Sequence, residues 1–180
     1  MSNDHNEKVV YPMRGLPACG KSYTARRLAG EEGVVFETDQ YFCTEVGDDP
    51  ARYDYAEALL PEARQWNLDR FLRALAEQKS PIVVDRGNGL NAETRVYAVA
   101  AVKHGYQVQL AEPESPWWQE LRVLLKYKQH IADELFDHWA TQRAEATRDT
   151  HRVPRSTIRR WMICWRDGIT VRDILEYDGA

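Results

Sequence analysis

The chain has 180 residues, a formal net charge of −4 at pH 7 and 43% hydrophobic residues. A chain of this length suits one domain with its own core, and its negative charge argues against broad, sequence-independent binding of long nucleic acids. No apolar run reaches the length of a membrane span, and three widely spaced cysteines predict a reducing, cytoplasmic location rather than a disulfide framework.

The predicted elements alternate between strands and helices, which indicates an α/β fold with a parallel sheet and helices on both faces. We expect a flexible N-terminus over residues 1–8 and a single domain over 9–180. The tail at 169–177 fits either a strand or a short helix, so the sheet has four or five strands. The predicted strands are 9–13, 34–38, 82–85 and 106–110, and the predicted helices are 21–28, a long one from about 61, 91–104, 117–127 and 154–165.

A phosphate-binding loop is the clearest motif, because residues 15–22 match the pattern G-x-x-x-x-G-K-[ST] without a mismatch. Gly15 and Gly20 allow the loop amides to converge on phosphate oxygens at the positive end of a helix. Lys21 adds charge for the β- and γ-phosphates, and Ser22 offers a hydroxyl to Mg²⁺. The predicted nucleotide-binding residues here are Gly15, Leu16, Pro17, Ala18, Cys19, Gly20, Lys21, Ser22 and Tyr23.

Two aspartates follow predicted strands and therefore face the same edge of the sheet as the loop. Ligands of open parallel sheets lie beyond the carboxyl ends of the strands. Asp39, after the second strand, suits a general base that accepts the proton of an attacking hydroxyl. Asp85, after the third strand, suits a Mg²⁺ ligand. A helix cap or a turn is the alternative reading of each aspartate.

Charge is distributed unevenly, with eleven acidic residues in 31–69 and seven arginines in 143–166. We expect a helical lid at about 128–153 that overlaps this stretch, and its arginines can stabilise the charge of a transferring phosphoryl group while the lid excludes water. A solvated charged face is the alternative. The candidate lid arginines are Arg143, Arg148, Arg152 and Arg155, and His151 among them is a further candidate for phosphate contact.

The ordered motifs resemble the polynucleotide-kinase-like group of P-loop kinases, which includes phage polynucleotide kinase and zeta-toxin-like AAA-type ATP-binding domains. The resemblance runs from Met13 to about Trp165. It implies an ATP- and Mg²⁺-dependent kinase with Asp39 activating the acceptor hydroxyl and Arg148, with Arg143, acting from the lid. The segments that carry it are 13–17, 20–22, 38–42, 63–67, 82–88, 105–108, 112–113, 148 and 151–154.

Three positions depart from the family pattern. Arg64 replaces the usual histidine before Trp-Asn, and Arg86 begins a changed segment after Asp85. Phe42 stands where phage polynucleotide kinase has an arginine that touches its nucleic-acid substrate. This last change weakens the prediction of a polynucleotide 5′-hydroxyl as acceptor.

The first functional hypothesis is therefore a kinase that transfers the γ-phosphate of ATP to a hydroxyl. The acceptor is a polynucleotide 5′-end or a small molecule such as a sugar, a nucleotide sugar or an antibiotic. A nucleotide-binding switch without transfer activity and a plain NTPase are the alternatives. The sequence leaves the acceptor, the choice between ATP and GTP, and the oligomeric state open.

Overall fold

The computed structural model describes residues 7–44, 53–86 and 89–179. Most of the predicted flexible N-terminus, the predicted turn at 47–50 and the glycine-asparagine pair at 87–88 lie outside these residues. The strands are β1 (Val9–Pro12), β2 (Val34–Phe36), β3 (Ile82–Val84) and β4 (Gln107–Val108). The helices are α1 (Lys21–Ala29), α2 (Tyr41–Thr44), α3 (Leu60–Ala76), α4 (Ala92–Lys103), α5 (Pro116–Lys126), α6 (Asp133–Ala146), α7 (Arg155–Cys164) and α8 (Val171–Leu175).

The four strands form one parallel sheet in the order β2-β3-β1-β4. Ile82 of β3 is in register with Val10 of β1 on one side and Val34 of β2 on the other. All three residues of β3 are buried, as expected for a central parallel strand covered on both faces. The predicted α/β fold with a parallel sheet is confirmed.

Helices cover both faces of the sheet. Val10 and Ile82 pack into a core with α3 and α4, which contribute Phe71 and Ala101. Val83, the next residue along β3, points to the opposite face, where it packs with residues of α1. The alternation of side chains along each strand separates these two cores. Among the described residues, no helix is long and apolar enough to cross a membrane.

A third core lies among α5, α6 and α7. Trp118, Leu121, Phe136 and Met162 are buried in it. Leu16 and Cys19 of the phosphate-binding loop belong to the same core, so the loop rests on these helices as well as on the sheet.

Several predicted boundaries differ from the structure. β2 ends at Phe36, because residues 38–40 turn into a short 3-10 helix. The fourth strand covers two residues instead of five. A 3-10 turn at 128–130 interrupts the helical stretch expected from residue 128, and α6 begins at Asp133. The tail forms helix α8, which begins at a Thr170–Asp173 capping box that satisfies its first backbone N–H groups.

Candidate active site

The phosphate-binding loop joins β1 to α1 and has a compact backbone. Ala18 and Gly20 have positive φ angles of 56° and 86°, and Gly20 is the left-handed N-cap of α1. A Cβ at Gly15 would lie 2.9 Å from two ring carbons of Pro113, so a side chain has no room there. The loop therefore presents backbone N–H groups at a helix N-terminus, which is the arrangement that binds phosphate.

Two polar side chains of the first turn of α1 have defined partners. The Lys21 ammonium donates a hydrogen bond to the Leu16 carbonyl at 3.0 Å, which keeps it over the loop. The Ser22 hydroxyl donates to Oδ2 of Asp85 at 2.7 Å. The structure thus brings together the two residues expected to hold Mg²⁺, which come from α1 and from the end of β3.

Glu37, at the carboxyl end of β2, is a site residue that the sequence analysis missed. It makes a side-chain hydrogen bond with Asp85. Burial, followed by the charge of Asp85, raises the pKa of Glu37 to about 7. The predicted strand 34–38 included Glu37, so the sequence analysis gave it no role, and one acidic residue at the end of an otherwise apolar strand was the available signal.

Asp39 lies in the 3-10 turn after β2, and each of its carboxylate oxygens has a side-chain neighbour. The Tyr53 hydroxyl donates to Oδ1 at 3.3 Å. Nε2 of His151 lies 3.5 Å from Oδ2. About half of the Asp39 side chain, 48%, remains exposed, so an acceptor can reach it. The structure places His151 against this carboxylate.

Arg143 and Arg148 occupy different environments. Arg143 on α6 donates to the Ala18 carbonyl of the loop at 2.9 Å, and the Trp117 indole donates to the same oxygen at 3.2 Å. Arg148 is exposed, and it lines an open groove with Arg152 and Arg155 after the end of α6. Within the described part of the chain, the Arg148 guanidinium has no ion pair. The two predicted lid arginines are therefore separated into one that supports the loop and one that is exposed.

The side chains of the loop and of the start of α1 differ in exposure. Cys19 is fully buried, and burial raises the pKa of its thiol. Tyr23, in the first turn of α1, is 71% exposed. Because the Leu16 and Cys19 side chains face the helical core, these residues present their backbone rather than their side chains to a phosphate.

Two departures from the family pattern meet in one contact. Arg64 of α3 and Arg86 after β3 both form ion pairs with Glu93 in the first turn of α4. The third departure, Phe42, is fully buried in a cluster with Tyr41 and Ala63. These replacements are thus accommodated by contacts among α2, α3 and α4.

The residues present fit a magnesium nucleotide. The Gly15 cradle excludes a side chain, and the Ser22–Asp85 pair offers the oxygen ligands that Mg²⁺ prefers. Among the described residues, no group of three or more His, Cys, Asp or Glu side chains is arranged to hold a metal. Mg²⁺ in phosphoryl-transfer sites takes many of its ligands from phosphates and water, so such a group is not required.

Comparison with known proteins identifies the family. The family model AAA_33, described as an AAA domain, matches residues 10–163. The human protein NEDD4-binding protein 2 is 35% identical over 113 residues, which are 62% of this chain and 6% of that protein. The chain thus corresponds to a small part of that relative's length. With its phosphate-binding loop and parallel sheet, the chain belongs to the AAA_33 family of AAA domains, which are nucleotide-binding and kinase-like.

Proposed function

We propose that this protein is an ATP-dependent kinase that transfers the γ-phosphoryl group to a hydroxyl acceptor. The observation that carries the proposal is the half-exposed carboxylate of Asp39 at the edge of the sheet that holds the phosphate-binding loop. Asp39 lies near enough to Glu37 for its charge to raise the pKa of Glu37, and Glu37 pairs with Asp85, which accepts a hydrogen bond from Ser22. A base for the acceptor therefore lies in the same neighbourhood as the groups that hold the phosphates.

The loop and its helix bind and orient the donor. Backbone N–H groups of the loop, in which Pro17 has none to donate, and the Lys21 ammonium would hold the phosphates, while Ser22 and Asp85 would hold Mg²⁺. When bound, ATP supplies the phosphoryl group, and Mg²⁺ neutralises charge on the phosphate oxygens. Arg143 keeps the Ala18 carbonyl in place. The lid at about 128–153, whose helix α6 packs against the loop, excludes water, and Arg148 after α6 stabilises the charge of the transferring group.

Asp39 prepares the acceptor. Its carboxylate takes the proton of the acceptor hydroxyl as the hydroxyl oxygen forms the new bond to phosphorus and the bond to ADP breaks. The acceptor is a polynucleotide 5′-hydroxyl or a hydroxyl-bearing small molecule. The three free cysteines support a reducing, cytoplasmic setting for this activity.

Asp39→Asn tests the proposal, because asparagine keeps the size of the side chain but does not accept the proton. With γ-labelled ATP and Mg²⁺, we expect the wild-type protein to label hydroxyl acceptors from a panel of 5′-hydroxyl oligonucleotides and metabolites. The variant should bind ATP with the wild-type Kd and lose transfer by a factor on the order of 10² to 10⁴.

Three outcomes would contradict the proposal. Full transfer by the Asp39→Asn variant would remove Asp39 from the reaction. Tight ATP binding by the wild-type protein, without label on any acceptor, would favour the nucleotide-binding switch. Rapid release of labelled phosphate in the absence of acceptor would instead identify an NTPase.

A further inference from the structure

An aromatic cluster of Phe42, Tyr53 and Tyr55 adjoins Asp39. The fully buried ring of Phe42 supports the other two, with ring centroids 5.9 Å from Tyr53 and 5.0 Å from Tyr55. Tyr53 and Tyr55 are stacked at 6.1 Å with 16° between their planes. The backbone N–H of Asp54 donates to the Phe42 carbonyl at 3.1 Å, which holds this short segment against α2.

One polar group of the cluster, the Tyr53 hydroxyl, donates a hydrogen bond to the carboxylate of Asp39, the proposed base. The Tyr53 ring lies edge-to-face with the imidazole of His151, with 5.1 Å between the ring centroids. Burial, followed by the charge of Asp39, raises the pKa of Tyr53, so its phenol stays protonated and remains a donor at neutral pH. Two separate parts of the chain, at Tyr53 and at His151, therefore place aromatic rings against Asp39.

Exposure distinguishes this cluster from ordinary core packing. Tyr55 is 50% exposed although its neighbour Phe42 is fully buried. The His151 side chain is 46% exposed. Tyr55 thus leaves half of its surface exposed next to Tyr53, whose hydroxyl contacts Asp39, and an exposed aromatic ring is a surface on which a flat ring can stack.

We propose that Tyr53, Tyr55 and His151 form the acceptor subsite, and that it binds a compound carrying a flat, nucleobase-like ring close to its reactive hydroxyl. The inference rests on the proposed kinase function. Tyr55 supplies the stacking face and Tyr53 orients Asp39. His151 gives up its 3.5 Å contact with Asp39 when the acceptor hydroxyl arrives, because it is the longer and more exposed of the two contacts.

A nucleobase-like ring comes from either a free nucleoside or the 5′-terminal nucleotide of a nucleic acid. His151 is followed directly by Arg152, which is exposed and lines the arginine groove with Arg148. A polymer would place phosphates near these arginines, whereas a nucleoside would not. Both sources carry the ring, so acceptors that differ only in the base must be compared separately for a nucleoside and for a nucleic acid.

The test compares acceptors that differ only in the base. Transfer of label is measured to a nucleoside and to its methyl riboside, and to a 5′-hydroxyl dinucleotide and its counterpart that is abasic at the first position. We expect kcat/KM to favour the base-bearing member of a pair by a factor on the order of ten, the scale of one stacked base. Preference in the dinucleotide pair alone identifies the nucleic-acid source.

Variants assign the preference to Tyr55. Tyr55→Leu should reduce the preference to near one, and Tyr55→Phe should retain it because stacking needs the ring and not the hydroxyl. Tyr127→Leu is the matched control, since Tyr127 is also 50% exposed but lies at the end of α5. Titration calorimetry without ATP should show weaker binding of the preferred acceptor to the Tyr55→Leu variant, and circular dichroism checks that this variant is folded.

The outcomes separate the two proposals. Equal transfer to base-bearing and base-free acceptors would overturn the acceptor subsite and leave the kinase function standing. A preference that survives Tyr55→Leu in a folded variant would also overturn the subsite. Transfer to none of these acceptors, while another compound of the metabolite panel is labelled, would overturn the acceptor subsite alone. Transfer to no compound of the whole panel would contradict the kinase function and, with it, this inference.

Discussion

Three carboxylates follow β2 and β3, and each has a different environment. Asp85 is buried and accepts a hydrogen bond from Ser22. Asp39 is half exposed and faces a phenol and an imidazole. Glu37 is near both, and its burial and their negative charge raise its pKa to about 7. Because Glu37 is then partly protonated at neutral pH, the site carries less negative charge toward incoming phosphates than its composition suggests.

Glu37 makes the stability of the protein depend on pH. Its pKa rises from 4.5 to about 7 on folding, so the native chain holds more protons than the unfolded chain between these values. The associated stability is fully present below pH 4.5 and is lost as the pH rises through about 7. Glu37→Gln should therefore raise the free energy of unfolding at pH 8 by about 1–2 kcal/mol, a figure reduced for partial exposure.

Urea unfolding in magnesium-free buffer measures this effect. At pH 4, wild type and variant should have nearly the same free energy of unfolding, since the carboxyl is largely protonated in both states there. A gain of equal size at pH 4 and pH 8 would assign the effect to packing instead of proton binding.

At the scale of elements, α5 and α6 position the phosphate-binding loop from outside the sheet. Trp117 of α5 and Arg143 of α6 both donate to the carbonyl of Ala18, whose φ angle is positive. A non-glycine residue in that conformation is strained, and the two donors help to hold it. Arg148, only five residues after Arg143, is exposed beyond the end of the helix.

This difference predicts that substitution of Arg143 affects nucleotide binding and that substitution of Arg148 affects the rate of transfer. Arg143→Ala should weaken nucleotide binding about tenfold, the cost of losing one charged hydrogen-bond donor at the loop. Arg148→Ala should leave the Kd for ATP near the wild-type value and lower kcat by a factor on the order of 10³. Fluorescent-nucleotide titration and single-turnover transfer measure the two quantities, and the reverse pattern would exchange the roles of the arginines.

At the scale of the whole molecule, the sheet cores and the helical core are distinct. The helical core contains Leu16 and Cys19 of the loop together with Met162 of α7. The core beneath α3 contains Leu75 and residues of the strands. Loss of packing in the helical core should therefore weaken nucleotide binding more than loss of packing beneath α3.

Met162→Ala and Leu75→Ala test this arrangement as a matched pair of nearly fully buried residues. Each should lower the free energy of unfolding by about 2–5 kcal/mol. Under conditions where both variants are folded, only Met162→Ala should raise the Kd for ATP. Equal effects on the Kd would mean that the two cores transmit packing changes to the loop alike.

Local sequence patterns were sufficient to predict the phosphate-binding loop and the central strands of the sheet. The phosphate-loop motif lies within eight consecutive residues, and the apolar runs at 9–13 and 82–84 mark buried strands by themselves. Element ends were less accurate because hydrogen bonding between neighbouring strands decides them. The predicted fourth strand shortened to Gln107–Val108, and β2 gave way to a 3-10 turn at Asp39.

The sequence by itself determined the α/β fold, the phosphate-binding loop and the positions of Asp39 and Asp85 after their strands, because these features depend on short-range periodicity and spacing. Only the tertiary structure decided the partners of these groups. Arg143 contacts Ala18, which is 125 residues away in the sequence. His151, which follows α6, contacts Asp39, and Glu37 at the end of β2 contacts Asp85 at the end of the neighbouring strand β3. Such contacts arise when distant segments pack together, and no local pattern in the chain encodes them.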